Sequence, residues 1–418
     1  MLDKTLLKDP VWKNRNFLIL WLSQSVSFFG NQIFILGMPL FIYEITGSGS
    51  KMALVYAFTM MPYVVFGILG GGIADYFDRR RILFIGNILV AVPLFIMNIL
   101  FYMDSLLLWS IFIFVFIISS FEGIILSTFE ATIPSLVKRS ELVSANSLFE
   151  LSNSAIYILG PMLGGIIIAS FSPTVAIIIN AFSFLIAGTL IYLIKPSGNP
   201  VKNTKRSVKN SLHNFWEGVL YLPKHRVLRW GMLISTGTNI VLGAFTVMLI
   251  FHLKTVLNFS ADTIGIVLTV ASISSLISSG FIAKQLSHFH KGTIMIISVI
   301  FMGVGVIGIG FSTNIILLLL MQFIYMGCMT LYTINWRTLR QEITPESMLG
   351  RVSGVSRGIA FSGASIGGFL SSFVISEFPT STLFLIQGLF VMFIGMIAIT
   401  SPLSHIKKNQ SKDANLES

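Results

Sequence analysis

Apolar runs of about 20 residues, the length that carries an α-helix across a bilayer, recur twelve times along this chain and leave little sequence between them. The first six are Phe17–Tyr43, Met52–Ala74, Ile82–Tyr102, Leu106–Phe129, Leu148–Phe171 and Thr174–Ile194. The second six are Leu228–Leu253, Thr263–Ala283, Thr293–Phe311, Ile315–Asn335, Val352–Ile375 and Leu383–Pro402. Only 11% of the residues are charged, against roughly a quarter in a soluble domain. So little charge cannot coat a water-facing surface, and lipid must be the solvent. The expected fold is an all-α membrane protein of twelve transmembrane helices. The run Phe17–Tyr43 is too long for a signal-peptide core and reads as a retained first span. The single cysteine, Cys328, lies inside an apolar run, which leaves no disulfide framework and no thiolate metal site.

The net charge of +11 is topological and does not call for nucleic acid. With the N-terminus placed in the cytoplasm, 25 of the 28 Lys and Arg fall in cytoplasmic segments. Only Lys51 and Lys254 fall in outer loops, and Arg357 lies inside a span. That asymmetry is the positive-inside signature. It predicts a multi-pass protein of the cell membrane with both termini cytoplasmic. The one long loop is a basic connector, and it divides the chain into four parts. These are an N-terminal half (1–194), the connector (195–227), a C-terminal half (228–403) and a tail (404–418). In the connector Leu212, Phe215, Trp216, Val219 and Leu220 keep helical spacing, as in an amphipathic helix on the inner membrane face or packed beneath the bundle.

The halves repeat each other. Ser27 and Asn31 recur as Ser235 and Asn239, an offset of 208. Gly71 and Ala74 recur as Gly280 and Ala283, an offset of 209. Gly160–Gly165 (GPMLGG) recurs as Gly363–Gly368 (GASIGG), an offset of 203. Offsets this similar point to duplication, and two parallel six-span repeats are a known transporter plan with its binding site near the midplane. Within GPMLGG, Pro161 removes a backbone donor while Gly160, Gly164 and Gly165 admit a close neighbour. The expectation is a helix bend, or glycine packing alone.

An ionisable side chain inside a span is costly and marks function. Glu122 lies about 13 Å from the inner end of span 4 at helical rise. It is the candidate proton carrier, with a structural hydrogen bond or a substrate contact as the other readings. Arg357 sits about two turns into span 11 and could pair with an acid, face substrate or snorkel. Asn31 and Gln32 are central in span 1, and Asn239 in span 7; these amides could bind substrate or bridge helices. No GxxxxGK[ST] motif is present, so the chain carries no nucleotide-driven motor. No nucleophile–base pair supports an enzyme, His288 and His290 lack the companions of a metal site, and no cofactor is expected.

The turn Gly70–Arg81 (GGGIADYFDRRR) resembles the loop signature of the major facilitator superfamily, roughly G-x-x-x-D-R-x-G-R-R. Gly71, Asp75, Arg79 and Arg80 match, while Tyr76 and Asp78 replace the usual Arg and Gly. Asp in place of Gly is similar to the macrolide-efflux and siderophore-exporter branch, as are Thr132–Leu148 and Phe215–Trp230. GPMLGG resembles the core of the antiporter-associated signature, although its upstream glycine positions hold Ser147 and Ile156. The related drug-antiporter branch has an arginine where this chain has Ser119. The resemblance implies that spans 1 and 7 line the cavity, so that Asn31, Gln32, Asn239 and Arg357 are cavity candidates. It also implies that Asp75, paired with Arg79 or Arg80 and with Gly71 beside it, forms a cytoplasmic latch. The resulting expectation is a monomeric secondary transporter that exports a hydrophobic or amphipathic small molecule by proton antiport. A siderophore or metabolite exporter or importer is the alternative, then a non-transporting receptor.

Overall fold

The computed structural model describes residues 13–138, 141–194, 216–282, 286 and 289–405, with backbone alone at 67–72, 74–76, 281, 346–347 and 405. The connector segment 195–215 and His288 therefore lie outside the described residues, as does the tail beyond 405. In hydrocarbon every backbone N–H and C=O must be satisfied within the segment, which leaves the α-helix as the solution for an open chain. The described residues form thirteen α-helices, a further helical stretch at 216–221 in the connector, and no strand.

In the first half the helices are α1 (Arg15–Thr46), α2 (Gly49–Tyr76), α3 (Arg79–Tyr102), α4 (Leu108–Leu136), α5 (Leu142–Ser170) and α6 (Pro173–Tyr192). The second half holds α7 (Arg226–Val241), α8 (Phe245–Thr255), α9 (Ala261–Ile277), α10 (Lys291–Gly310), α11 (Ile315–Ile343), α12 (Glu346–Glu377) and α13 (Thr380–Ile399). Taking α7 and α8 as one span, eleven helical spans among the described residues are long and apolar enough to cross a membrane. The remaining expected span, Met52–Ala74, falls within the 28 residues of α2.

Three features depart from uniform spans. The expected span 7 is broken into α7 and α8, with the break at Leu242–Ala244. A Cβ at Gly243 would lie 2.5 Å from the Ala364 carbonyl oxygen and 2.7 Å from Gly367 Cα. The helix is interrupted where the backbone of α12 comes closest. Span 8 ends in a π-helical turn, Ser278–Ile282. Several helices also outrun their apolar stretch, α11 continuing to Ile343 and α12 beginning at Glu346. Helical hydrogen bonding does not stop where lipid does.

Local chemistry explains the ends. Asp78 is the N-cap of α3, accepting from the backbone N–H of Arg80 at 2.9 Å and of Arg81 at 3.4 Å. An acid where the superfamily signature has glycine thus satisfies two donors that have no intrahelical partner. Asn314 caps α11 in the same way through Leu317 N–H, at 2.9 Å. Within spans, hydroxyls bond back to the preceding turn, as Thr128 does to the Ile124 carbonyl at 2.8 Å.

The chain divides into two compact units, Met1–Ile45 with Phe58–Leu212, and Thr46–Ala57 with His213–Ser418. In the first, α3 packs on both α4 and α6; in the second, α10 packs on both α11 and α13. These are spans 3, 4 and 6 and their counterparts 9, 10 and 12. The glycine contacts repeat as well. A Cβ at Gly160 of α5 would lie 2.3 Å from Gln32 Cβ of α1, and one at Gly164 would lie 3.3 Å from Ile33 Cα. A Cβ at Gly363 of α12 would lie 3.0 Å from Asn239 Cβ of α7, and one at Gly367 would lie 2.1 Å from the Ile240 carbonyl. The matched glycines of α5 and α12 thus pack against the corresponding helices α1 and α7, one residue out of register.

Candidate functional site

The first unit assembles a chain of polar side chains from four helices. Glu122 of α4 accepts two hydrogen bonds, one on each oxygen. Asn31 Nδ2 of α1 donates to Oε1 at 3.1 Å, and the Tyr63 hydroxyl of α2 donates to Oε2 at 2.6 Å. Asn31 is in turn held by α6, whose Asn180 Nδ2 donates to Asn31 Oδ1 at 3.1 Å. The Ser183 hydroxyl, one turn further on, donates to the Asn180 carbonyl at 2.8 Å and lies 3.2 Å from Asn180 Oδ1.

Gly30 makes this approach possible. A Cβ there would lie 2.1 Å from Ser183 Oγ and 2.8 Å from Asn180 Oδ1. Without a side chain at residue 30, the polar pair of α6 reaches the face of α1 that presents Asn31. The chain is graded in exposure: Asn180 and Ser183 are buried, whereas Asn31, Tyr63 and Glu122 are half-buried. The carboxylate is therefore held on both oxygens, and its hydrogen-bond chain runs back to buried groups of α6. Ser119, one turn before Glu122, is fully buried, and its hydroxyl has no hydrogen-bond partner among the described residues.

Of the expected site residues, Asn31 and Glu122 come together directly. Gln32 is buried, with Gly160 against its Cβ, so these two meet at the α1–α5 contact. Pro161, Gly164 and Gly165 are buried in α5, which stays helical from Leu142 to Ser170. In the second unit the half-buried Asn239 donates back to the Ser235 carbonyl of its own helix at 2.8 Å. Arg357 is exposed on α12. Gly71 and Asp75 lie in the last turns of α2, where only the backbone is described. Arg79 and Arg80 reach the neighbouring helices of the first unit. Arg79 donates to the Ala131 carbonyl of α4 at 2.5 Å, and Arg80 donates to the Tyr192 carbonyl, the last residue of α6. A cation at a helix C-terminus is favoured by the helix dipole.

Tyr63, Asn180 and Ser183 did not emerge from the sequence as site residues. Asn180 carried a signal, since it is the one amide in the run Thr174–Ile194. No group of three or more His, Cys, Asp or Glu able to hold a metal ion occurs among the described residues.

Comparison with known proteins agrees with this architecture. A family model described as transmembrane secretion effector matches residues 10–417. An uncharacterised MFS-type transporter of Bacillus subtilis, YfiS, is 25% identical over 407 residues, covering 94% of this chain and 95% of that protein. Macrolide efflux protein A of Streptococcus pyogenes is 23% identical over 402 residues, covering 94% and 96%. The fold is similar to the crystal structure of the nucleoside transporter NupG, with a TM-score of 0.76 at 15% identity, covering 94% of this chain and 100% of that one. The chain belongs to the transmembrane secretion effector family of the major facilitator superfamily, in the branch similar to macrolide and siderophore exporters.

Proposed function

We propose that this transporter exports a hydrophobic or amphipathic small molecule across the cell membrane in exchange for protons, with Glu122 carrying the proton. One observation carries the reading. Glu122 is a membrane-embedded carboxylate anchored on both oxygens by Tyr63 and Asn31 and not fully sealed from the surface. Loss of water around a carboxylate makes its ionised form expensive, while the two donated hydrogen bonds stabilise that form. A carboxyl is the side chain of this cluster that can take up and release a proton. Alternating its exposure between the two aqueous compartments turns that into coupling. The similarity to a macrolide efflux protein supports export of amphipathic molecules.

The other site residues take roles consistent with this cycle. Asn31, Gln32, Asn239 and Arg357 are the substrate-side candidates of the two units. Gly160, Pro161, Gly164 and Gly165 let α5 move against α1. The turn carrying Gly71 and Asp75 acts as a cytoplasmic latch, supported by Arg79 and Arg80, which tie it to α4 and α6. The protein works as a monomer with both termini in the cytoplasm.

Inverted membrane vesicles containing the protein, loaded under an imposed pH difference, test the coupling. A macrolide is expected to accumulate only while the inside is acidic, and a protonophore should abolish the accumulation. Accumulation that ignores the pH difference rejects antiport. Absence of flux for macrolides and other amphipathic probes rejects export. Orientation is tested separately with single cysteines in a Cys328→Ser background. A membrane-impermeant maleimide applied to whole cells is expected to label Ser50→Cys, and to label Ser197→Cys only after permeabilisation. Labelling of both from one side would overturn the topology.

A further inference from the structure

The first unit also carries a groove that none of the residues around Glu122 lines. A groove of about 430 Å³ opens on the outer surface of the unit and is lined by Phe84 of α3 with Thr189, Leu190, Tyr192 and Leu193 at the end of α6. A volume of that order holds a small organic molecule. Two polar groups on its wall are already spent. The Thr189 hydroxyl donates to the Ile186 carbonyl of its own helix at 2.8 Å, and the Tyr192 carbonyl accepts from Arg80. What remains facing the groove is hydrocarbon and aromatic ring, with Phe84 and Tyr192 centroids 5.5 Å apart.

The rim has the opposite character. The guanidinium of Arg80 lies 5.2 Å from the centre of the Tyr192 ring, a cation–π distance. Arg81 beside it is exposed, and Arg79 opens the run of three consecutive arginines at the α3 N-terminus. Asp78 is the one acid at this turn whose side chain is described, and it is engaged with the backbone N–H groups of Arg80 and Arg81. A guanidinium offers five donors, and Arg80 uses one on Tyr192, which leaves the fork able to meet an anionic oxygen. Phe84 lies about 7.5 Å along α3 from Arg79 at helical rise. The cationic rim is thus at the helix ends, and the apolar groove begins beside it and reaches Phe84 little more than one turn into α3.

An oily groove just inside the membrane surface, under a cationic rim, has the layout of a phospholipid. We propose that the α3–α6 groove binds an anionic diacyl phospholipid, its acyl chain along Phe84, Leu190, Tyr192 and Leu193 and its phosphate between Arg80 and Arg81. The charge asymmetry of the sequence puts this end of the helices in the cytoplasmic leaflet, where anionic lipids attract basic residues. Aromatic residues at this depth also suit the membrane interface. The inference does not depend on what the transporter carries.

Native mass spectrometry of the purified full chain, titrated with phosphatidylglycerol or phosphatidylcholine of identical acyl chains, tests it. The parent should retain phosphatidylglycerol preferentially. Removing Arg80 and Arg81 (R80A/R81A) should weaken that binding by roughly fivefold per charge and leave phosphatidylcholine unchanged. T189W places an indole in the groove from an exposed helix position and should weaken both lipids, so the test survives if the arginine variant does not fold. A photo-reactive p-benzoylphenylalanine in place of Leu193 should capture lipid. Equal retention of the two lipids by the parent overturns the proposal, as does unchanged phosphatidylglycerol binding in T189W. Capture at residue 193 of a peptide from the chain's own connector also overturns it.

Discussion

Replacing Glu122 by glutamine is expected to leave the protein folded in the membrane and to abolish the dependence of export on an imposed pH difference. Glutamine keeps the length and planarity of the side chain. Its carbonyl oxygen can still accept from Asn31 Nδ2, which lies 3.1 Å from Glu122 Oε1 in the parent. Its amide can donate to the Tyr63 oxygen if that hydroxyl rotates, because a phenol both donates and accepts. No buried group is left unpaired, so the cost to the fold is small. The proton-carrying site is gone. One pH unit is worth about 1.4 kcal/mol per proton, which in a one-for-one exchange sustains roughly a tenfold concentration ratio of exported molecule. The parent should approach that ratio in inverted vesicles, and Glu122→Gln should stay at unity with downhill exchange still measurable. Glu122→Asp keeps the carboxyl and should restore part of the gradient. If Glu122→Gln holds the parent's ratio, protons do not travel on Glu122. If it fails only for cationic probes and still concentrates neutral ones, Glu122 is a counter-charge for substrate.

How much of this site the sequence disclosed follows from the physics of each residue. Glu122 was legible because a charge within an apolar run has no cheap explanation. Asn31 was legible because it sits mid-span and recurs as Asn239. Tyr63 and Ser183 were not, because hydroxyls are common in membrane helices and can bond back to their own backbone. Only the arrangement of helices shows that the Tyr63 hydroxyl is directed at a carboxylate. Gln32 illustrates the converse. Adjacent to Asn31 in sequence, it points about 100° away around a helix, and Gly160 is what it meets. The spans themselves were legible in number and order because bilayer thickness sets their length. The break in span 7 was invisible to hydropathy, since Leu242 and Ala244 are as apolar as their neighbours. Gly243 was its one mark, and the reason for it, the close backbone of α12, lies more than a hundred residues further along the chain.

That same crossing should be where the fold is least tolerant. In α12, Gly367 faces the break between α7 and α8 so closely that an added Cβ would lie 2.1 Å from the Ile240 carbonyl oxygen, 2.8 Å from Gly243 Cα and 2.9 Å from Gly243 N. All three are backbone atoms, so no rotamer change can make room. Gly367→Ala must instead push α12 away from α7 over the contact that holds spans 7 and 11 together. Overpacking of a well-packed interior costs typically about 1–3 kcal/mol, and a displaced helix pair also loses the close packing that small residues provide in lipid. The expected result is a lower thermal unfolding midpoint and loss of the monodisperse peak in detergent. Gly354→Ala lies on the same helix, where an added Cβ meets nothing within 4 Å. It carries the same change of residue type, and alanine is the better helix former by about 1 kcal/mol. Its midpoint should therefore equal or exceed the parent's. A Gly367→Ala protein as stable as Gly354→Ala would mean that α12 does not press its backbone against the break in span 7.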